Sequence, residues 1–434
     1  MDARVHGHIT GKALEWQTGE SKKFWSPLKS RLLDASEYPD LFASRDFVEK
    51  KAAIKVPDWR DFMFIPCHGK TEFLTDLYRT YISENIRATL PLVLDYYLRE
   101  ISRHLASGNP MKAANYLGCL SHLVGDTGQP AHVVSDELML QLMPFPTGKG
   151  LVVHFAVESV FGEASGEYAP RLLGQTVPEV IWRITEEFEI LRKLAMTKAV
   201  PILSALYADD LRSAKHAADV TVQACAELVA DILWTVYCLH VGRFAARDMR
   251  SLRTLDLSKL VPLNRYCDMM FGFAPMIDAH PVNARGRFAR MTPFDLGMGA
   301  PVTGIALLAN MALSYTGVRD TFVEYAIPPN RYGHFEAVAG LNQLCDNKTG
   351  SVFEVWLDDR LAFASPVMRQ KDKGLAVRVA VGAAKSIKLL ARDGRSAPCA
   401  SAFFYPIWGT PRLTGRLPGT RAPRGNLRDR QRGH

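Results

Sequence analysis

Near residue 250 the apolar residues of this chain change their period, and that change limits the fold more than any composition figure. From Met111 to Val124, residues Ala113, Ala114, Leu117, Leu120, Leu123 and Val124 recur at helical spacing. The stretches from Val177 to Met196 and from Leu203 to Asp248 repeat apolar residues at three and four in the same way. Beyond about residue 264, alternation replaces the helical period, as in S-V-F-E-V-W-L (351–357), A-V-R-V-A-V (376–381) and S-I-K-L-L-A (386–391). Turn residues separate these runs at Asp358-Asp359-Arg360 and Lys371-Asp372-Lys373-Gly374. The sequence therefore predicts a multi-domain α and β protein. An all-α N-terminal domain covers residues 1–250, a linker 251–263, a β-sandwich 264–411 and a disordered Arg-rich tail 412–434. With 434 residues, the chain is long enough to bury both cores.

The charge is uneven. Net charge is +8, and the segment 412–434 holds seven Arg and one Asp, so +6 sits in the tail and about +2 in the body. The charge balance alone thus does not argue for a nucleic-acid groove, and no specific nucleic acid is predicted as a partner. The seven cysteines are odd in number and contain no C-x-x-C, which argues against a disulfide framework or a Cys-rich zinc site. The opening M-D-A-R-V-H-G-H-I-T has no apolar signal core, so the chain is expected to stay in the cytoplasm unless its biological start lies elsewhere. Val229 to Phe244 is greasy but contains Asp231, His240 and Arg243, which suits a buried helix rather than a membrane span.

The chemistry concentrates between residues 116 and 160. His122 and Asp126 are four apart on the helix that ends at Gly128-Gln129-Pro130, so both project from one face, one turn apart. His132 follows the turn directly, and His154 and Glu158 repeat the four-residue spacing in H-F-A-V-E. Imidazole nitrogen with carboxylate oxygen is the donor set of hydrolytic zinc sites. Burying that many such groups without a cation would be costly. No Ser-His-Asp or Cys-His arrangement competes.

H-L-V-G-D-T-G-Q-P-A-H followed by H-F-A-V-E resembles the zinc-dependent bacterial phospholipases C. A sister family, the zinc nucleases of single-stranded nucleic acid, typically closes the second pair with Asp, and Glu158 tilts the likeness to the phospholipases. The resemblance implies further ligands: His6 in H-x-x-I-T-x-x-A-L, with His8 as the alternative; Asp40 in Y-P-D, with Asp58 as the rival; and His68 before G-K-T. It also implies two or three Zn2+ per chain. His132, His154 and Glu158 hold one ion, while His68, His122 and Asp40 hold a second. Asp126 bridges that second ion to a third near His6. A metal-activated water would attack a phospholipid phosphate, with Asp40 also orienting the water or taking its proton. The substrate implied is a phospholipid or other phosphodiester, with peripheral membrane contact. The alternatives are a single-strand nuclease or phosphomonoesterase on the same scaffold, or a non-catalytic binding protein with a degraded metal site. The family is mostly exported, and in it an N-terminal Trp is also a ligand; here Trp16 follows His6.

The second half carries its own resemblance. F-E-A-V-A-G-L-N, S-V-F-E-V-W-L-D-D and V-R-V-A-V-G-A-A-K-S-I-K-L-L-A-R-D-G resemble the NPCBM domains, over roughly 296–411. This implies a carbohydrate partner for the C-terminal domain.

Overall fold

The structure, a computed structural model, describes residues 3–43, 56–67, 69–77, 86–142, 153–266, 276–277, 280–284, 287–307, 309–310, 320–344, 350–393, 403–404 and 406–416. The chain forms two compact units, Met1–Ser251 and Leu252–His434.

The first unit is helical. The helices that matter for the site are α1 (Ala3–Glu15), α2 (Lys29–Ala35), α3 (Tyr38–Leu41), α4 (Ile86–Ala106), α5 (Pro110–Thr127), α6 (Pro130–Val133), α7 (Asp136–Leu142), α8 (Val153–Glu158), α9 (Val177–Tyr207) and α10 (Leu211–Val241). The centre is α5. It starts cleanly because the Asn109 side chain accepts the Lys112 N–H and Pro110 occupies the first turn. Every residue from Ala113 to Thr127 is buried, so α5 is packed on all sides by α1, α2, α4, α9 and α10. Among the described residues, one short hairpin, Phe64–Cys67 with Lys70–Phe73, interrupts the helical pattern.

After α8 the chain runs from residue 159 to 176 as a strap without regular structure. Four of its backbone N–H groups donate to side chains of α10. Glu163 N donates to Asp219 (2.8 Å), Ser165 N to Gln223 (2.9 Å), Arg171 N to Asp231 (2.6 Å) and Leu173 N to Thr235 (3.0 Å). These acceptors recur at helical spacing, so one face of α10 acts as a ladder for the strap. The approach is close: a Cβ on Gly162 would lie 2.7 Å from the Ala218 carbonyl carbon. Helix α10 is long and apolar enough to cross a membrane by length and composition, but 61% of that window is buried within the protein. Asp231, fully buried there, takes part in the ladder and in an ion pair with Arg171 (2.8 Å).

The second unit is a sandwich of two antiparallel sheets. One sheet runs, in spatial order, Arg360–Ala364, Ser351–Leu357, Ser386–Asp393, Asp320–Ala326 and Asn264–Tyr266. The other runs Leu375–Ala380, Tyr332–Leu341, Pro406–Arg416, Gly304–Ala306 and Met276–Ile277. The Phe353 ring of the first sheet meets the Trp408 ring of the second edge-on at 5.4 Å, which places the core between them. Two boundaries differ from expectation. The stretch expected as a linker is built into this unit: Leu255–Asp256 pairs with Arg412–Leu413, and Leu255, Leu257 and Leu260 are buried. Of the stretch expected as a tail, 412–416 completes the last strand around the buried Leu413; residues 417–434 lie outside the described residues.

Candidate metal centre

The inner half of the site stands on α5 and α1. His122 and Asp126 share one face of α5, and His122 Nε2 lies 3.1 Å from Asp126 Oδ2. His6 reaches the same carboxylate from α1, its Nε2 3.3 Å from Asp126 Oδ1. The His6 and His122 rings stack at 3.9 Å. A hydroxyl contact between Thr10 and Ser121 (2.8 Å) ties the two helices together. Close approach here needs a glycine: a Cβ on Gly125 would fall 2.7 Å from His6 Nδ1. His122 donates from Nδ1 to the Ser36 carbonyl (2.8 Å), which leaves Nε2 with its lone pair turned to the site. Asp40, on α3, comes from the solvent side, its Oδ1 3.6 Å from His122 Nε2.

The outer half stands on short helices. His132, on α6, lies 3.7 Å from Asp126 Oδ1 and 3.4 Å from Glu158 Oε1, so it links the two halves. His154 and Glu158 share a face of α8, with Nε2 3.8 Å from Oε2. His6, His122 and Asp126 offer donor atoms within 4.8 Å of one another, and so do His132, His154 and Glu158.

The electrostatics suit a cation. Burial, reinforced by the neighbouring His122, pushes His6 down to about 3, so its imidazole is neutral. Burial opposes charge on Asp126, but His132 and His122 outweigh it and hold the carboxyl well below the usual range. The His132 hydrogen bond pulls Glu158 down to about 2 against burial. Burial likewise opposes charge on His122, but Asp126 and Asp40 raise its pKa. His6 is thus neutral and Asp126 and Glu158 are ionised, as ligands of a divalent metal must be, while His122 would release a proton on binding one. The hydrogen bonding agrees. Both nitrogens of His6 are buried with no partner of hydrogen-bonding geometry, although Asp126 lies within ion-pair distance of Nε2. An unsatisfied buried polar group costs about 1–3 kcal/mol, which a bound cation would offset. The residues present therefore fit zinc.

The sequence-predicted residues divide as follows. His6, Asp40, His122, Asp126, His132, His154 and Glu158 are brought together by the contacts above. His8 is not among them: its Nε2 accepts the Ala164 N–H of the strap at 2.9 Å. Asp58 sits beside Lys112 Nζ at 3.5 Å. His68 lies outside the described residues. Sequence reasoning missed Asp136, whose Oδ1 lies 3.5 Å from His154 Nδ1. The Pro and Gly content of 137–150 predicts a loop; its first part is helical, as Asp136–Leu142, and residues 143–150 lie outside the described residues. The only sequence signal was a carboxylate four residues after His132.

The family model of the NPCBM/NEW2 domain matches residues 302–414. Among solved structures, the chain is similar to a CBM51 from Clostridium perfringens GH95 in complex with methyl-galactose. That likeness has 20% identity and a TM-score of 0.27, and covers 37% of this chain and 99% of the other. The chain is also similar to the alpha toxin from Clostridium absonum, at 11% identity and TM-score 0.33, over 95% of this chain and 94% of that one. The alpha-toxin from Clostridium perfringens avian strain SWCP gives 10% identity and TM-score 0.32, over 95% and 96%. No curated protein matches the chain. The NPCBM/NEW2 match falls within the sandwich unit.

Proposed function

We propose that the helical unit is a zinc-dependent phosphodiester hydrolase acting on phospholipid. The observation that carries this is the unbroken series of contacts Asp40–His122–Asp126–His132–Glu158–His154, with His6 joining at Asp126 and no step longer than 3.8 Å. Seven side chains are too many for one tetrahedral zinc and suit two or three ions. Bound zinc would supply an activated water and neutralise phosphate oxygens as charge builds on them. The chain's own residues do the rest. His122 and His154 present Nε2 inward, Asp126 stands between the two halves, and the buried wall around His6 excludes water. Asp40, with its side chain 53% exposed, is placed to accept a proton at a carboxylate oxygen where substrate would arrive.

A phospholipid is favoured over a polynucleotide by the surroundings. Helices α7 and α8 pack together beside the outer half and expose Leu138, Leu140, Leu142 and Phe155. Such a surface suits acyl chains, whereas a phosphate polymer would call for basic residues. For the sandwich unit we infer carbohydrate binding, supported by the NPCBM/NEW2 match. The test is a substrate panel. Zinc-loaded protein should release phosphorylated headgroup from phosphatidylcholine and leave single-stranded DNA intact. Degradation of the DNA without headgroup release would overturn the substrate assignment in favour of the nuclease alternative.

A further inference from the structure

We infer that Asp136 is a positioning residue for the outer ion, acting through His154. The inference rests on the proposed metal centre and adds a residue to it. An imidazole ligates a metal through one ring nitrogen, and a partner held at the other nitrogen fixes the tautomer and ring orientation that leave the first with its lone pair. His122 is held by the Ser36 carbonyl at its Nδ1. His154 needs an equivalent, because α8 is only six residues long and the side chain is 31% exposed. Its ring neighbours do not supply one. His132 meets it edge-on at 5.3 Å and Phe155 at 5.8 Å, contacts that do not distinguish one ring nitrogen from the other. Asp136 does: its Oδ1 faces Nδ1 at 3.5 Å while Nε2 faces Glu158 at 3.8 Å. The carboxylate sits in the first turn of α7, which Ser135 opens by accepting the Leu138 N–H at 3.2 Å, so its backbone is fixed. A carboxylate behind a ligand imidazole sets the tautomer and raises the donor strength of the opposite nitrogen. Asp136 and Glu158 thus clamp one ring from both sides.

The experiment is a zinc titration of the full chain against a chromophoric chelator, with the visible spectrum of the cobalt-substituted protein as a second readout. Wild type, Asp136→Ala, Asp136→Asn, Asp136→Glu and His154→Ala are compared. Asp136→Ala should weaken the more loosely held ion by ~10–100-fold and leave the tighter ion unchanged. Asp136→Asn should fall between Asp136→Ala and wild type, and Asp136→Glu should recover most of the affinity. The cobalt spectrum should change in Asp136→Ala although the metal-free variant melts as wild type does. Unchanged zinc affinity in Asp136→Ala, or an equal weakening of every ion, overturns the role assigned to Asp136 while the metal centre stands. Wild type that binds fewer than two ions, with His154→Ala indistinguishable from it, overturns the metal centre itself and Asp136 with it.

Discussion

The two halves of the centre use the same ligand chemistry in opposite settings. His6, His122 and Asp126 are at most 2% exposed and stand on long helices inside the core. The side chains of His132, His154 and Glu158 are 18–31% exposed and stand on helices of four and six residues. The inner half is therefore part of the folding problem: its groups are desolvated by the fold itself, and a cation there would offset that cost. The outer half is part of the access problem, because it is open to solvent and the proposed substrate would reach it there. This predicts a tightly held inner ion and a more exchangeable outer one.

The largest effect should come from removing the ligand that both acids share at the inner half. His122→Ala should lower hydrolysis on the order of a thousand-fold while far-UV circular dichroism keeps its helical signal. Loss of that signal would make the site chiefly structural. Next in size is chelation. Slow addition of a chelator should remove zinc in two phases, activity falling with the first and thermal stability with the second. If the inner ion is present at a thousand times its Kd, the second phase should cost about 4 kcal/mol. A single phase carrying both losses would erase the distinction between the halves. Gly125→Ala tests the inner half alone. Its Cβ would meet His6 Nδ1 at 2.7 Å, and overpacking should cost about 1–3 kcal/mol in chemical denaturation and weaken the inner ion. The smallest effect concerns the outer rim. Leu140→Ser and Phe155→Ser should each slow hydrolysis of phosphatidylcholine vesicles by about fivefold, equivalent to about 1 kcal/mol of lost apolar contact. A water-soluble short-chain ester should be cleaved at the wild-type rate, and equal losses on both substrates would remove the acyl-chain argument.

What the sequence disclosed follows the same division. The pairs His122/Asp126 and His154/Glu158 were legible because a helix converts a spacing of four into a shared face. The strands at 351–357 and 386–393 were legible because alternation marks a half-buried sheet. His6 and Asp40 were not legible from spacing: they reach the centre through helix packing, α1 and α3 against α5, and only the family likeness pointed to them. The contact of Asp136 with His154 was not legible, because the two lie eighteen residues apart across a helix pair and no local periodicity encodes it. The short strand Leu255–Asp256 was missed for the same reason, since two residues are too few to show alternation and its partner strand lies at the far end of the chain.

The central claim is that these side chains are held together by shared zinc. Metal analysis of the purified full chain after exhaustive dialysis tests it most directly. The account predicts two or three zinc ions per chain, with the last released only as the helical unit loses stability. Fewer than two ions in protein that is folded and cooperative on melting would contradict it.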